Sequence, residues 1–253
     1  MLLTFADREQ MIRTLANGKV ESLVELGVYK GEFAEFCART LTPRKHVLVD
    51  FWDYERYEFV LDEAPQNLQR NRVFSAYFEN DPVRALRDAY VHVTKTFAQN
   101  ASVEIVKDDI GACADRFADG SFEVIYLDGN HSHEFVLRDL YKWFPKLAAG
   151  GLFICNDFCE SEVAAKQNIG VISAFCTFSK RFQVHPIALS MCEWSDFYFS
   201  NAADSPLIQR LLAGLASAGY HSLEVPCTFL GAYHHRLMKN ARGSYLMPSF
   251  TAA

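Results

Sequence analysis

Apolar residues come along this chain in short, regularly spaced blocks. Val20–Leu26, His46–Asp50, Val103–Val106, Phe122–Leu127 and Leu152–Cys155 are brief apolar runs closed by, or close to, Gly, Asp or Asn. Runs of that length with no polar alternation predict strands covered on both faces. The segments between them carry apolar residues at helical spacing. Residues 7–17 predict a short amphipathic helix, and Glu32–Thr40 a second, with Phe33, Phe36 and Cys37 on one side. Asp81-Pro82 is a helix start, an N-cap followed by proline at the first turn, for a helix reaching about Asn100. Further helices are expected near Ala112–Phe117 and over His133–Leu147 and Val163–Lys180, with Gly150-Gly151 breaking the chain before the fifth strand.

The alternation then stops. Phe182–Leu189 and Asp196–Ser200 predict two strands with no helix between them, a hairpin added antiparallel to a parallel sheet, and Pro206–Ala218 predicts a last helix. Alternating strands and helices imply parallel strands with right-handed crossovers and helices on both faces. The expected fold is therefore α/β: a Rossmann-like, doubly wound, mostly parallel seven-stranded sheet with a terminal antiparallel hairpin. Residues 1–253 read as a single domain. An aromatic segment without a clear period marks a candidate cap or insertion at 51–80, and a His- and Tyr-containing tail marks a C-terminal extension at 201–253. Trp52 to Tyr57 suit a lid over an acceptor, or equally the packing of a cap. The tail suits a homodimer contact or a pocket wall, with His234 and His235 expected at the surface.

Composition narrows the function classes. Half of the 253 residues are hydrophobic and 22% are charged, with a formal net charge of −6. That balance disfavours general nucleic-acid binding, which calls for a basic surface. Charge at Asp7, Arg8 and Glu9 interrupts any secretory apolar run, and no stretch approaches the roughly 18 apolar residues of a membrane helix. A cytoplasmic protein that meets neither nucleic acid nor membrane, but a small molecule, is expected. The seven cysteines are scattered with no C-x-x-C pair, so buried reduced thiols are expected rather than a zinc site.

In doubly wound sheets ligands bind beyond the carboxyl ends of the strands. The first such end reads Glu25-Leu26-Gly27-Val28-Tyr29-Lys30-Gly31. Gly27 permits a sharp turn, and Gly31 stands where the next helix begins. The dinucleotide fingerprint G-x-G-x-x-G requires a glycine where this chain has Tyr29, so a ligand without a pyrophosphate fits better. Glu25 is a carboxylate in an otherwise apolar strand, suited to the cationic amino-acid end of a ligand or to an internal ion pair. Asp50 ends the second strand, where a carboxylate can accept ribose hydroxyls. Asp108 and Asp109 follow the third strand, where one can accept from an adenine amino group or both can cap a turn. The fourth strand ends at Asp128 with His131 three residues on, and the fifth at Asn156-Asp157. Two carboxylates and an amide oxygen suit a hard cation such as Mg²⁺, and a neutral imidazole nearby suits a general base. The alternative is that these residues cap loops.

Taken in order, Glu25-Leu26-Gly27…Gly31, Asp50, Asp109, Asp128-x-x-His131, Asp139-Leu140, Gly150-Gly151 and Asn156-Asp157 resemble class I S-adenosylmethionine-dependent methyltransferases. The similarity is narrower to the branch with small-molecule O-methyltransferases, macrolide-sugar and catechol-like enzymes among them. It covers roughly residues 20–200, and Tyr126–Asp157 carries most of its specificity. The resemblance implies S-adenosylmethionine as cofactor, held by Glu25, Gly27, Gly31, Asp50, Asp109 and Asp128. It further implies Mg²⁺ on Asp128, Asn156 and Asp157, with His131 as the base acting on a hydroxyl acceptor. Two departures stand out: the glycine turn lacks its middle glycine, and Asn156-Asp157 replaces the Glu-Asp of the macrolide-sugar members. A nicotinamide-dependent oxidoreductase and a non-catalytic cofactor-binding module of the same fold are the competing readings, to be separated by cofactor binding and by turnover.

Overall fold

The computed structural model describes residues 1–54, 78, 80–192, 194–241 and 243–250. The first half of the chain runs β1 (Leu2–Thr4), α1 (Arg8–Leu15), β2 (Ser22–Leu26), α2 (Glu32–Leu41), β3 (Lys45–Asp50), α3 (Pro82–Thr96), β4 (Val103–Lys107), α4 (Ile110–Cys113) and β5 (Phe122–Leu127). The second half runs α5 (His133–Trp143), β6 (Leu147–Cys155), α6 (Glu162–Lys166), α7 (Val171–Phe178), β7 (His185–Ser190), β8 (Phe197–Ser200), α8 (Pro206–Ser217) and β9 (Ser222–Glu224). A separate antiparallel pair, β10 (His234–Asn240) and β11 (Gly243–Ser249), follows.

Helix starts follow local chemistry. Asp7 and Gln10 cap each other's backbone at α1, Asp81 accepts from Arg84 N–H ahead of Pro82, and Ser205 does the same for Ile208 ahead of Pro206. Each satisfies a donor that the first helical turn leaves without a partner.

The main sheet has the order β4-β3-β2-β5-β6-β8-β7-β1-β9. Strands β4, β3, β2, β5 and β6 pair in parallel, and β8 runs antiparallel to both β6 and β7, which forms the expected hairpin. The α/β Rossmann-like class stands as expected, but among the described residues the sheet has nine strands rather than seven. Leu2–Thr4 joins in parallel beside β7, and Ser222–Glu224 closes the edge against it. Three-residue strands carry no periodicity of their own; they exist because a neighbour supplies the ladder.

Successive residues of each strand point to opposite faces, and both faces are covered. Val24, Leu26, Ile125, Leu127 and Phe153 pack on one side with Leu140 and Trp143 of α5 and Phe175 and Phe178 of α7. Leu23, Val124, Tyr126, Leu152 and Ile154 pack on the other with Met11, Ile12 and Leu15 of α1 and with Ile208, Leu211 and Leu215 of α8. Burial on both faces is why these strands read as unbroken apolar runs.

Other boundaries shift for identifiable reasons. Gly150-Gly151 does not precede the fifth strand but lies inside β6, where the register against β5 slips. Asn201 and Ser205 bind the Gly150 backbone there. The helix expected over Val163–Lys180 is two helices. Asn168 adopts φ +58°, and Gly170 fits against the His133 backbone and donates to the His131 carbonyl at 2.8 Å. His235, expected at the surface, is buried: its N–H donates to the Glu160 carbonyl, whereas its neighbour His234 stays partly exposed. The cap expected at 51–80 falls mostly on residues 55–77, outside the described residues. All seven cysteines are free, and four are buried. Among the described residues, no helix is long and apolar enough to cross a membrane.

Candidate active site

Strand order reverses between β2 and β5, so their carboxyl ends open a crevice. Gly27 N–H donates to the Val49 carbonyl of β3, and Asp128 N–H donates to the Leu26 carbonyl, which draws the ends of β2 and β5 together. At φ +96°, Gly27 holds a conformation that costs other residues strain, and a Cβ there would collide with the Asp128 carbonyl. Gly31, at φ +80°, begins α2 with Val93 of α3 close against it.

Asp50 is tied down from its own side of this turn. One oxygen accepts from Val28 and Tyr29 N–H, both at 2.8 Å, and the other from Trp52 N–H at 3.0 Å. Burial raises its pKa, and these backbone donors oppose the rise. Tyr29 and Trp52 both take positive φ, and the Trp52 indole donates to the Tyr29 carbonyl at 2.7 Å. The loop that departs from dinucleotide sites at Tyr29 is thus braced by Asp50 and Trp52.

Glu25 is buried, and its Oε2 has no hydrogen-bond partner. Burial lifts its pKa well above the carboxylate range, and the charge of Asp128 adds to this while Arg8 opposes it. Such an orphan oxygen carries a large desolvation cost unless a donor arrives. Asp109 caps α4 through Ala112 N–H and pairs with Arg138 at 3.1 Å.

Beyond β5 and β6 the charges converge. His131 Nε2 lies 3.4 Å from Asp128 Oδ1, and His131 Nδ1 lies 3.5 Å from Asp157 Oδ2. Asp157 takes φ +53° at the turn after β6. Burial lowers the His131 pKa, but the charges of Asp157 and Asp128 outweigh it and leave the value raised. Burial raises Asp157, against the pull of His131.

The sequence reading put no function on Arg8, Tyr126 or Asp196, yet all three complete this centre. Arg8 Nη1 lies 3.4 Å from Asp128 Oδ2, and its Nε lies 3.7 Å from Asp196 Oδ2. Its guanidinium stands over the rings of Phe33 and Tyr126, at 5.1 and 5.4 Å from their centroids. Asp196 is fully buried; its Oδ1 accepts from Asn156 Nδ2 at 2.9 Å and from the Tyr126 hydroxyl at 3.1 Å. Burial pushes its pKa up to about 6 despite these partners. The signal was present: Asp196 opens the apolar run Phe197–Ser200, just as Glu25 interrupts β2.

The set expected to hold Mg²⁺ does not fit a metal ion. The two Asp128 oxygens face Arg8 and His131, and the imidazole stands between Asp128 and Asp157. Asn156 turns its amide N–H to Asp196, and among the described residues no group of three or more His, Cys, Asp or Glu side chains is arranged to hold a metal. The reading of Asp128, Asn156 and Asp157 as Mg²⁺ ligands finds no support in this arrangement.

Comparison with known proteins agrees with this architecture. Residues 24–158, more than half of the chain, match the sequence model of a family described as a methyltransferase domain. The N-methyltransferase NodS from Bradyrhizobium japonicum WM9 superimposes with a TM-score of 0.51 at 12% identity, over 77% of this chain and 94% of that one. Spermidine synthase from Thermotoga maritima superimposes with a TM-score of 0.47 at 16% identity, over 79% of this chain. The chain spans 59% of the length of that synthase. At these identities the likeness is one of fold. No curated protein sequence matches the chain.

Proposed function

The chain belongs to the methyltransferase-domain family, and from that premise we propose that it transfers a methyl group from S-adenosylmethionine to a hydroxyl oxygen of a small-molecule acceptor. Family membership sets the nicotinamide alternative aside.

The observation that carries the reading is the orphaned, buried carboxylate oxygen of Glu25, near the carboxyl end of β2 and two residues before the Gly27 turn. An α-ammonium group would supply the donor that Glu25 lacks. Asp50 would stand at the ribose and Asp109 at the adenine end, with Gly27 and Gly31 letting the backbone approach. Asp128 would share the amino-acid end with Glu25. The bound cofactor supplies a sulfonium methyl already activated for displacement, so the protein's work is alignment and removal of one proton.

His131 is the group for that proton. Its Nδ1 lies 3.5 Å from Asp157 and its Nε2 3.4 Å from Asp128, so two carboxylates orient the ring, and Nε2 makes no hydrogen bond. Nε2 would accept the hydroxyl proton of the acceptor as the methyl group is transferred. The acidic balance of the chain supports a small acceptor over a nucleic acid.

Calorimetry with S-adenosylhomocysteine and with NAD⁺ tests the cofactor, and mass spectrometry of hydroxyl-bearing acceptors incubated with S-adenosylmethionine tests the reaction. Binding of the first ligand and a mass gain of one methyl group are expected. Binding of NAD⁺ alone overturns the proposal.

A further inference from the structure

Several carboxylates crowd the crevice end of the sheet: Glu25, Asp128, Asp157 and the fully buried Asp196. Their mutual repulsion, and the cost of burying Asp196, demand a positive charge. That charge comes from a distance of 120 residues along the chain, on the first helix. The guanidinium of Arg8 bridges Asp128 Oδ2 and Asp196 Oδ2, at 3.4 and 3.7 Å. Asp196 Oδ2 is buried without a hydrogen bond, so its compensation is this ion pair. Asp196 Oδ1 is taken by Asn156 and Tyr126, which turns the carboxylate toward Arg8.

The arginine is held as firmly as the acids. Its flat face lies over Phe33 and Tyr126. The helix that carries it is fixed by the Asp7–Gln10 capping box and by Met11, Ile12 and Leu15 packed under the sheet. The strand before it, β1, is hydrogen-bonded into the sheet beside β7. The N-terminal segment therefore delivers one guanidinium to one place.

We propose that Arg8 is a positioning residue that serves as a built-in cation, neutralising and spacing Asp128 and Asp196 where a divalent ion would otherwise be drawn in. Guanidinium suits this role because it stays charged throughout the physiological range, its planar donors can address two carboxylates at once, and it stacks on aromatic faces. It cannot coordinate an acceptor oxygen as a metal would. It holds Asp128 in place beside the crevice, and leaves proton removal to other groups. The place of Asp128 in methyl transfer rests on the function proposed above; the exclusion of a metal ion by Arg8 does not.

Manganese binding, followed by the loss of the free Mn²⁺ electron paramagnetic resonance signal, tests this without turnover. The full chain, Arg8→Met and Arg8→Lys are compared. Met keeps an unbranched stem over Phe33 and Tyr126 while removing the charge. The wild type and Arg8→Lys are expected to leave Mn²⁺ free. Arg8→Met is expected to bind it at least about tenfold more tightly, and adding Asp196→Asn is expected to abolish the gain. Wild-type binding as tight as that of Arg8→Met, or no gain in Arg8→Met, overturns the proposal. Should Arg8→Met not fold, Arg8→Gln, which can still donate a hydrogen bond, gives the same reading. Calorimetry with S-adenosylhomocysteine on the wild type is run alongside. Failure there removes the methyl-transfer reading, while the manganese comparison still decides the role of Arg8.

Discussion

His131 Nδ1 lies 3.5 Å from Asp157 Oδ2, and the two side chains come from turns after different strands, β5 and β6. With Asp128 Oδ1 3.4 Å from the other nitrogen, the ring is held in a fixed direction between two carboxylates. If that other nitrogen takes the acceptor's proton, His131→Ala should slow transfer by roughly 10²–10⁴-fold while S-adenosylhomocysteine affinity stays near wild type. Burial lowers the His131 pKa, but the charges of Asp157 and Asp128 raise it further, so the net shift is upward. A base works when deprotonated, so activity should rise with pH through a value above that of an ordinary histidine. Asp157→Asn should move that limb to lower pH. Near-normal turnover of His131→Ala, measured by mass spectrometry, would leave alignment alone to account for the reaction.

Glu25 offers a test in which binding and stability part company. Its buried Oε2 has no partner, so the free chain bears a desolvation cost that a bound cation would relieve. Glu25→Gln should weaken S-adenosylhomocysteine binding by about 1–3 kcal/mol, the scale of a lost charged hydrogen bond. The same variant should melt no lower than wild type, because burial already favours the neutral form of Glu25 and the amide is neutral too. A lower melting temperature with unchanged affinity would make Glu25 a structural residue.

Gly27 should tolerate no side chain. Gly27→Ala places a methyl against the Asp128 carbonyl at φ +96°. The backbone conformation alone costs about 1–3 kcal/mol, and the clash adds to it by forcing β2 and β5 apart. Chemical denaturation should show at least that loss, together with weakened S-adenosylhomocysteine binding. Wild-type stability would mean that the turn can open without cost.

Much of this architecture is legible in the chain because burial on both faces leaves a plain signature. The β2, β3, β5 and β6 cores are apolar runs, and the polar residues that stop them, Gly27, Asp50, Asp128 and Asn156, are the ones that meet at the crevice. What was not legible depends on partners remote in sequence. β1 forms because β7 offers it a ladder, and Gly150 sits inside a strand because Asn201 and Ser205 hold its backbone. Asn156 donates its amide N–H to Asp196, 40 residues on, a contact that the strand-end pattern does not show. Arg8 reads as a polar residue on an amphipathic helix until β5 and β8 bring Asp128 and Asp196 to meet it.

A last prediction concerns acid stability and comes from the opposite end of the sheet. His46 enters β3 fully buried, beside the edge of the Phe97 ring, and neither of its ring nitrogens has a hydrogen-bond partner. Burial pushes its pKa down from 6.5 to about 4. The folded value is depressed, so the unfolded chain takes up a proton first as pH falls. The stability associated with a neutral His46 is fully present above about pH 6.5, declines between there and pH 4, and is lost below that window. The full swing is on the order of 3 kcal/mol. Other buried groups act in the opposite sense. Burial raises Asp139 to about 7 and Asp196 to about 6, so both favour folding more as pH falls. The wild-type curve alone therefore mixes the two effects. The difference between wild type and His46→Leu, from urea unfolding at pH 7 and at pH 4, isolates the histidine. His46→Leu should gain on the order of 3 kcal/mol relative to wild type across that interval, whatever its offset at pH 7. A constant difference between the two proteins over the same range would mean that His46 finds a proton partner, such as a bound water, that keeps its titration ordinary.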